Sequence, residues 1–333
     1  MHRRTLLAGA AAVAVGRVLT PPPADAQARY PARTITFIVP SPAGGVYDLN
    51  GRLLVDAVRG KLGTIVVDNR SGGTAWIGVL AAAKAAPDGY TILLAGSATH
   101  ILQPAMMAAP PYDPVKDFAP IATFTASWTC VAINPALPVH SLDELIRYAK
   151  DHPGKLTTGF RGIGDPTHLA GELFRRLGGG TAGPLDILDV PYRTVPQAVN
   201  DLVSGSLQMS MPHITRNVTE LHEAGKIRLL ALNAPNRIPL APDLPTSREA
   251  GLDGMIAGTD FYLYAPAGTP GPILELWNGV VGDALRDPVF RDKLVATGLE
   301  PIFAGDLAAT AAYIEKERER WTPLVKAMGI KIE

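Results

Sequence analysis

Short runs of consecutive apolar residues, each followed by a stretch of helical periodicity, constrain this chain more than any other feature. Thr34-Ile-Thr-Phe-Ile-Val39, Thr64-Ile-Val-Val67 and Thr91-Ile-Leu-Leu94 are apolar on neighbouring positions, the pattern of strands covered on both sheet faces. Helical patterns over 47–60 and 75–86 separate them. Such alternation predicts βαβ units and a parallel sheet. A second series follows at Cys130-Val-Ala-Ile133, Leu156-Thr-Thr158, Ile187-Leu-Asp-Val190, Leu207-Gln-Met209 and Ile227-Arg-Leu-Leu-Ala231, again with helices between. Ser141 and Glu144 form a capping box that opens a helix to about 151. Four prolines between Pro235 and Pro245 mark an irregular connector. Beyond Phe261-Tyr-Leu-Tyr264, helices are expected near 270–285 and 307–328. A length of 333 residues with 47% hydrophobic content accommodates two α/β lobes with cores of their own.

The first 28 residues carry a different signal. Charged Arg3-Arg4 precedes an apolar stretch from Leu6 to Val15, then Pro21 to Pro23, then Ala26-Gln-Ala28. This is the layout of a secretory leader cut after Ala28, and the arginine pair fits a twin-arginine or a Sec signal. A membrane span needs about 20 apolar residues, and Arg17 interrupts sooner. Removing the leader takes away Arg3, Arg4, Arg17 and Asp25 and moves the net charge from +0 to −2. A mature chain of that charge gives no electrostatic argument for nucleic acid. The single cysteine, Cys130, excludes an internal disulfide framework and a Cys-rich zinc site. Its apolar neighbours make it a small buried residue.

Ligands of α/β sheets bind beyond the carboxyl ends of strands, where loops lead into helices. The first such loop is Pro40-Ser-Pro-Ala43-Gly44-Gly45-Val-Tyr-Asp48, whose glycines and following helix N-terminus suit an anion; a plain tight turn capped by Asp48 is the competing reading. The second is Gly159-Phe-Arg161-Gly162-Ile-Gly164-Asp165-Pro-Thr167-His168. Here Asp165 before Pro166 is a helix N-cap in its own right, while Arg161 is a candidate fork for a carboxylate. The third, Gly96-Ser97-Ala-Thr99-His100, offers two hydroxyls and an imidazole, with turn and cap duty as the alternative. His213 and Asp260 also follow or open strands and can face a cleft.

Enzyme signatures lend no support. The spacing Gly159…Gly162-Ile-Gly164 is not the G-x-G-x-x-G of a dinucleotide site, and G-x-x-x-x-G-K-[ST], H-E-x-x-H and G-x-S-x-G do not occur. The seven histidines show no metal-ligand spacing, so neither a metal nor a cofactor is expected.

The ordered blocks Pro42-Ala-Gly-Gly45 with Asp48, Asp68-Asn-Arg70, Ala86-Pro-Asp-Gly-Tyr-Thr91, Pro111-Tyr-Asp-Pro-Val-Lys-Asp-Phe118, Thr167-His-Leu-Ala-Gly-Glu-Leu-Phe174, Val190-Pro-Tyr192 and Ala265-Pro-Ala-Gly-Thr-Pro270 run through the whole mature chain. In them the chain resembles the periplasmic substrate-binding receptors of tripartite tricarboxylate transporters, the Bug-type family. The resemblance implies a two-lobed type II periplasmic-binding fold with two mostly parallel sheets, a hinge and an interdomain cleft. Lobe 1 is expected over 29–125 plus 258–333 and lobe 2 over 126–257. It implies a monomeric receptor, not an enzyme, that hands a small organic acid to membrane subunits of a transporter. Carried over, the carboxylate-binding loops are Ala43-Gly44-Gly45 and Gly162-Ile163-Gly164-Asp165. Departures cluster in the cleft: Asp165 stands where the family has Ser or Thr, Arg161 where a small residue is usual, Pro212-His213 where Asp-Asn is frequent, and Asp260 where Trp is frequent. From these, Arg161 is expected to pair with a ligand carboxylate and Asp165 or Asp260 to accept from an amine, amide or hydroxyl. A sensor for a membrane histidine kinase, and an exported hydrolase or lyase using His100, His168 or His213, are the alternatives.

Overall fold

The computed structural model describes residues 30–72 and 75–332, so the expected leader over 1–28 lies outside it. Two sheets organise the chain. The first has strand order β11-β4-β10-β3-β1-β2, with β1 Ile35–Val39, β2 Ile65–Asn69, β3 Thr91–Gly96, β4 Phe118–Trp128, β10 Gly258–Pro266 and β11 Glu300–Pro301. The second has order β7-β6-β8-β5-β9, with β5 Cys130–Ile133, β6 Leu156–Phe160, β7 Ile187–Pro191, β8 Met209–Ser210 and β9 Arg228–Leu232.

The expected βαβ units are present where β1 pairs in parallel with β2 and β3, and where β6 pairs in parallel with β7 and β8. The sheets as a whole are mixed, however, and not mostly parallel. β10 runs antiparallel to both β3 and β4, β11 antiparallel to β4, and β5 antiparallel to β8 and β9. The cause is the double exchange of chain between sheets: β4 leaves the first sheet at Trp128, β5 opens the second at Cys130, and β10 returns after β9. β2 is also an edge strand, half-exposed along its length rather than buried.

Helices cover the sheets. Helix α1 (Val46–Leu62) and α8 (Gly271–Arg286) pack on one face of the first sheet, where Phe37 stacks on Trp277 at 6.4 Å. Gly51 of α1 lets the helix settle on β1, since a Cβ there would stand 2.8 Å from Val39 Cγ2. α2 (Trp76–Ala83) and the long α10 (Leu307–Met328) lie on the other face. Successive residues of β10 point to opposite faces, so Phe261 and Leu263 join the first core while Tyr262 and Tyr264 join the second. That second core continues into the other lobe through Leu169, Leu173 and Phe174 of α5 (Pro166–Gly179). Ser141 caps α4 (Leu142–Asp151) as expected, accepting from Glu144 N–H at 3.1 Å.

Where the chain crosses between sheets, both crossings are tied into one knot. Thr129 N–H and Oγ1 both donate to Ala257 O, at 3.0 and 2.9 Å, and Asn233 Nδ2 donates to Thr129 Oγ1 at 2.9 Å. Ser247 Oγ donates to Asn233 Oδ1 at 2.7 Å. Thr129, Asn233 and Ser247 are fully buried. Replacing Asn233 by Ala orphans the buried Ser247 hydroxyl and takes a donor from Thr129 Oγ1, and we expect a loss of about 1–3 kcal/mol of stability. Denaturant unfolding of Asn233→Ala measures it, and an unchanged midpoint contradicts the knot's role.

Candidate binding site

Two of the expected loops approach each other through Tyr47, which feels the charges of Arg161 and Asp165. On lobe 1, Pro42 to Gly45 lead into α1 and are exposed. Asp48 is buried and turned inward: its Oδ2 accepts from Gly44 N–H and from Arg52 Nε, both at 2.9 Å, and its Oδ1 accepts from Asn69 Nδ2 at 3.0 Å. Burial pushes its pKa up, but these hydrogen bonds, that of Arg52 foremost, outweigh it and hold the carboxyl below its usual range. Asp48 therefore shapes the loop. No side chain caps the α1 N-terminus itself.

On lobe 2 the opposite holds. Asp165 Oδ1 accepts from Thr167 N–H at 3.0 Å and Thr167 Oγ1 at 2.7 Å, and Pro166 takes the first helical position. Its Oδ2 accepts from Arg161 Nε at 2.9 Å and Nη2 at 2.6 Å. Asp165 caps α5 and neutralises Arg161 at the same time. The expectation that Asp165 receives a ligand's amine or hydroxyl is thus corrected, because four donors already occupy the carboxylate. The carboxylate held by the Arg161 fork is internal, and its charge raises the Arg161 pKa.

Tyr47 projects from α1 toward this pair. Its hydroxyl crowds Gly96, where a Cβ would lie 2.5 Å from Oη, and its ring meets Phe261 edge-on at 4.7 Å. Burial raises its pKa, the Arg161 charge opposes that, and the Asp165 charge adds to it. Thr99 lies close, yet no hydrogen bond of normal geometry joins the two hydroxyls. His213 stands near the same pair: Nδ1 donates to Ser127 O at 3.2 Å, and burial first of all lowers its pKa. Tyr47 and Ser127 join the candidate site, and loop reading does not single them out. An aromatic residue in the first turn after Gly44-Gly45 is the one signal for Tyr47.

Four expected residues have structural work to do instead. His100 is fully buried, stacked on Tyr264 at 4.3 Å and edge-on to Phe118 at 4.7 Å, with burial lowering its pKa to about 3. It is a core histidine. Thr99 Oγ1 accepts from Gly96 N–H at 3.3 Å, which is turn duty. Asp260 faces α10, where Tyr262 and Tyr313 hydroxyls donate to Oδ2 at 3.3 and 3.0 Å. A cavity of about 40 Å³ opens there between Ser97, Trp128, Tyr313 and Glu317. Ser97 Oγ accepts from Asp260 N–H at 3.2 Å. A larger cavity, about 210 Å³, lies outside the loops between Arg216, Leu240 and Asp292.

Among the described residues, His168, Glu172 and Asp189 bring ligating atoms within 4.8 Å of one another. Arg175 hydrogen-bonds both carboxylates, reaching Asp189 Oδ2 at 2.8 Å, so the positive charge is already in place. Gly178-Gly-Gly180-Thr-Ala-Gly183 does have G-x-G-x-x-G spacing, contrary to the expectation of none. It ends α5 rather than joining a strand to a helix start, so it is no phosphate loop.

Two mixed α/β lobes joined by a double crossover, with loops converging between them, define a solute-binding receptor. The tripartite tricarboxylate transporter family receptor pattern matches residues 51–330. Bordetella pertussis protein BugT is 32% identical over 323 residues, 96% of each chain. Two solved structures are similar throughout. An R. palustris protein with adipate has TM-score 0.82 and 32% identity, covering 91% of this chain and 99% of its own. MatC from Rhodopseudomonas palustris with bound malate has TM-score 0.78 and 30% identity, covering 89% and 100%. The chain belongs to the tripartite tricarboxylate transporter receptor family, of Bug type, whose members are periplasmic binding receptors and not enzymes. No helix of the described residues is long and apolar enough to cross a membrane.

Burial raises the Asp260 pKa to about 7, with the Glu317 charge adding and the Tyr313, Tyr262 and Arg320 contacts opposing. Between roughly pH 4 and 7 the folded state then binds more protons than the unfolded one, so this group's support for the fold falls as pH rises. We expect Asp260→Asn to gain about 1–3 kcal/mol relative to the native chain at pH 8 over pH 5. Urea midpoints at both pH values test this, and a pH-independent difference contradicts it.

Proposed function

We propose that the cleft captures a small organic acid whose carboxylate docks at the N-terminus of α1, and that the loaded receptor delivers it to membrane subunits of a tripartite transporter. The observation that carries this reading is an asymmetry between the two loops. α5 is capped by its own Asp165, whereas α1 opens from the exposed Ala43-Gly44-Gly45 turn with no side-chain cap. Backbone N–H groups and the helix dipole there favour an anion. Arg161 faces this end with two of its guanidinium nitrogens on Asp165 and its side chain one-third exposed. It supplies orientation and a share of positive potential rather than a free cation. The adipate and malate of the related receptors agree with a carboxylate ligand.

In this reading the lobes pivot about the knot at Thr129 and Ala257, with lobe 1 ending near residue 128 and resuming at 258. Ligand contacts from both lobes favour the closed arrangement. The receptor works as a monomer exported by the leader over 1–28.

Titration calorimetry of the mature protein against mono-, di- and tricarboxylates tests the proposal. We expect at least one acid to bind. The double variant Arg161→Gln/Asp165→Asn removes both charges without orphaning either, and we expect it to weaken that acid about tenfold, or about 1.4 kcal/mol. Undiminished affinity in the double variant contradicts the role of Arg161; failure of every carboxylate contradicts the receptor reading.

A further inference from the structure

Seven buried side-chain atoms among the described residues have no hydrogen-bond partner, and three of them lie where α1 meets β4: Tyr47 Oη, Asn50 Nδ2 and Ser127 Oγ. A buried polar group without a partner costs free energy, so three together call for an explanation. Their residues are 7%, 0% and 1% exposed.

The secondary structure brings them together. Tyr47 and Asn50 are three residues apart on α1 and share a face. Thr125 and Ser127 are two apart on β4 and share a sheet face. Thr125 Oγ1 donates to Asn50 Oδ1 at 2.6 Å, which joins the two elements. Phe261 lies opposite Thr125 and meets the Tyr47 ring, while Thr259 lies opposite Ser127. Tyr47 Oη and Thr259 Cγ2 both crowd the Cβ position of Gly96, at 2.5 and 3.0 Å. His213 Nδ1 on Ser127 O ties this corner to the wall that carries Arg161 and Asp165.

The chemistry of the corner is specific. Asn50 Oδ1 is committed to Thr125, so Nδ2 is an obligate donor. The Tyr47 and Ser127 hydroxyls rotate and either donate or accept. No charged side chain hydrogen-bonds any of the three atoms, and Arg161, whose charge reaches Tyr47, is already paired with Asp165, so a second carboxylate buried here would lack a free counter-charge. An ammonium would face the Asn50 donor. An uncharged oxygen suits all three groups.

We propose that Tyr47, Asn50 and Ser127 form a second subsite of the cleft, which takes a hydroxyl or carbonyl oxygen of the ligand. The ligand is then an acid with an uncharged oxygen substituent, held by its carboxylate at α1 and by that oxygen at this corner. The inference rests on the receptor reading above and deepens it.

Matched acids test it by calorimetry: malate with succinate, 3-hydroxyadipate with adipate, and lactate with propionate. In every pair that binds, the hydroxy acid is expected to bind at least tenfold tighter, and Tyr47→Phe is expected to cut that ratio below threefold. Unliganded Tyr47→Phe is expected to unfold at a denaturant midpoint no lower than the native chain's, because it removes an orphaned group. Ser127→Ala provides a second variant with the same expected loss of preference. Equal binding within pairs, or a preference that survives both substitutions, overturns the subsite and leaves the receptor reading standing. A lower midpoint for unliganded Tyr47→Phe shows a hydroxyl bonded within the fold, and also overturns it. Absence of binding by every acid overturns both.

Discussion

The Asp165 carboxylate receives four hydrogen bonds, two from Arg161 and two from Thr167, and this arrangement decides what each half of the cleft is free to do. A carboxylate that is 4% exposed in its side chain needs such partners. By holding them it seals the N-terminus of α5 and turns Arg161 from a free cation into one half of a pair. The α1 start, by contrast, lacks a side-chain cap. In the proposed reading anion capture therefore falls to lobe 1, and lobe 2 contributes the paired Arg161 and Asp165. The net charge of −2 that the proposed loss of residues 1–28 would leave agrees with capture by local donors rather than by a basic surface.

The rest of the fold serves to hold these loops opposite one another. Both crossings between sheets meet at Thr129, Asn233 and Ala257, so the chain passes between the lobes at one place. Away from it the lobes touch on two flanks. Arg176 Nη2 reaches Met328 O at 2.9 Å on one side, and Arg216 Nε reaches Ala296 O at 3.3 Å on the other. These two hydrogen bonds are partly exposed, the kind that a hinge motion breaks and remakes at modest cost, while the apolar core that runs from Tyr262 and Tyr264 into α5 also joins the lobes. The buried knot is the part that persists.

Much of this was legible in the order of residues. The apolar runs at 35–39, 91–96 and 130–133 form strands because burial on both faces demands what the sequence shows. The long strand Phe118–Trp128 was not legible, since Thr123, Thr125 and Ser127 interrupt its apolar pattern and are nonetheless buried, Thr123 and Thr125 in hydrogen bonds to distant partners. Strand direction was equally hidden, because it depends on which sheet a connection returns to. In the site, loop chemistry marked Arg161 as a carboxylate fork, but only the fold shows that the carboxylate is its own neighbour four residues on. His100 sits in a polar loop by sequence and in an aromatic core by contact with Tyr264 and Phe118, residues far away in the chain. Tyr47 and Asn50 look like ordinary helix residues until β4 and β10 are laid beside them.

The most direct test of the central claim is the identity of the small molecule that accompanies the mature protein through purification, read by mass spectrometry after denaturation. The account predicts an organic acid with at least one uncharged hydroxyl or carbonyl oxygen beyond its carboxylate. Recovery of a cationic amine, or of a compound without any carboxylate, would contradict it.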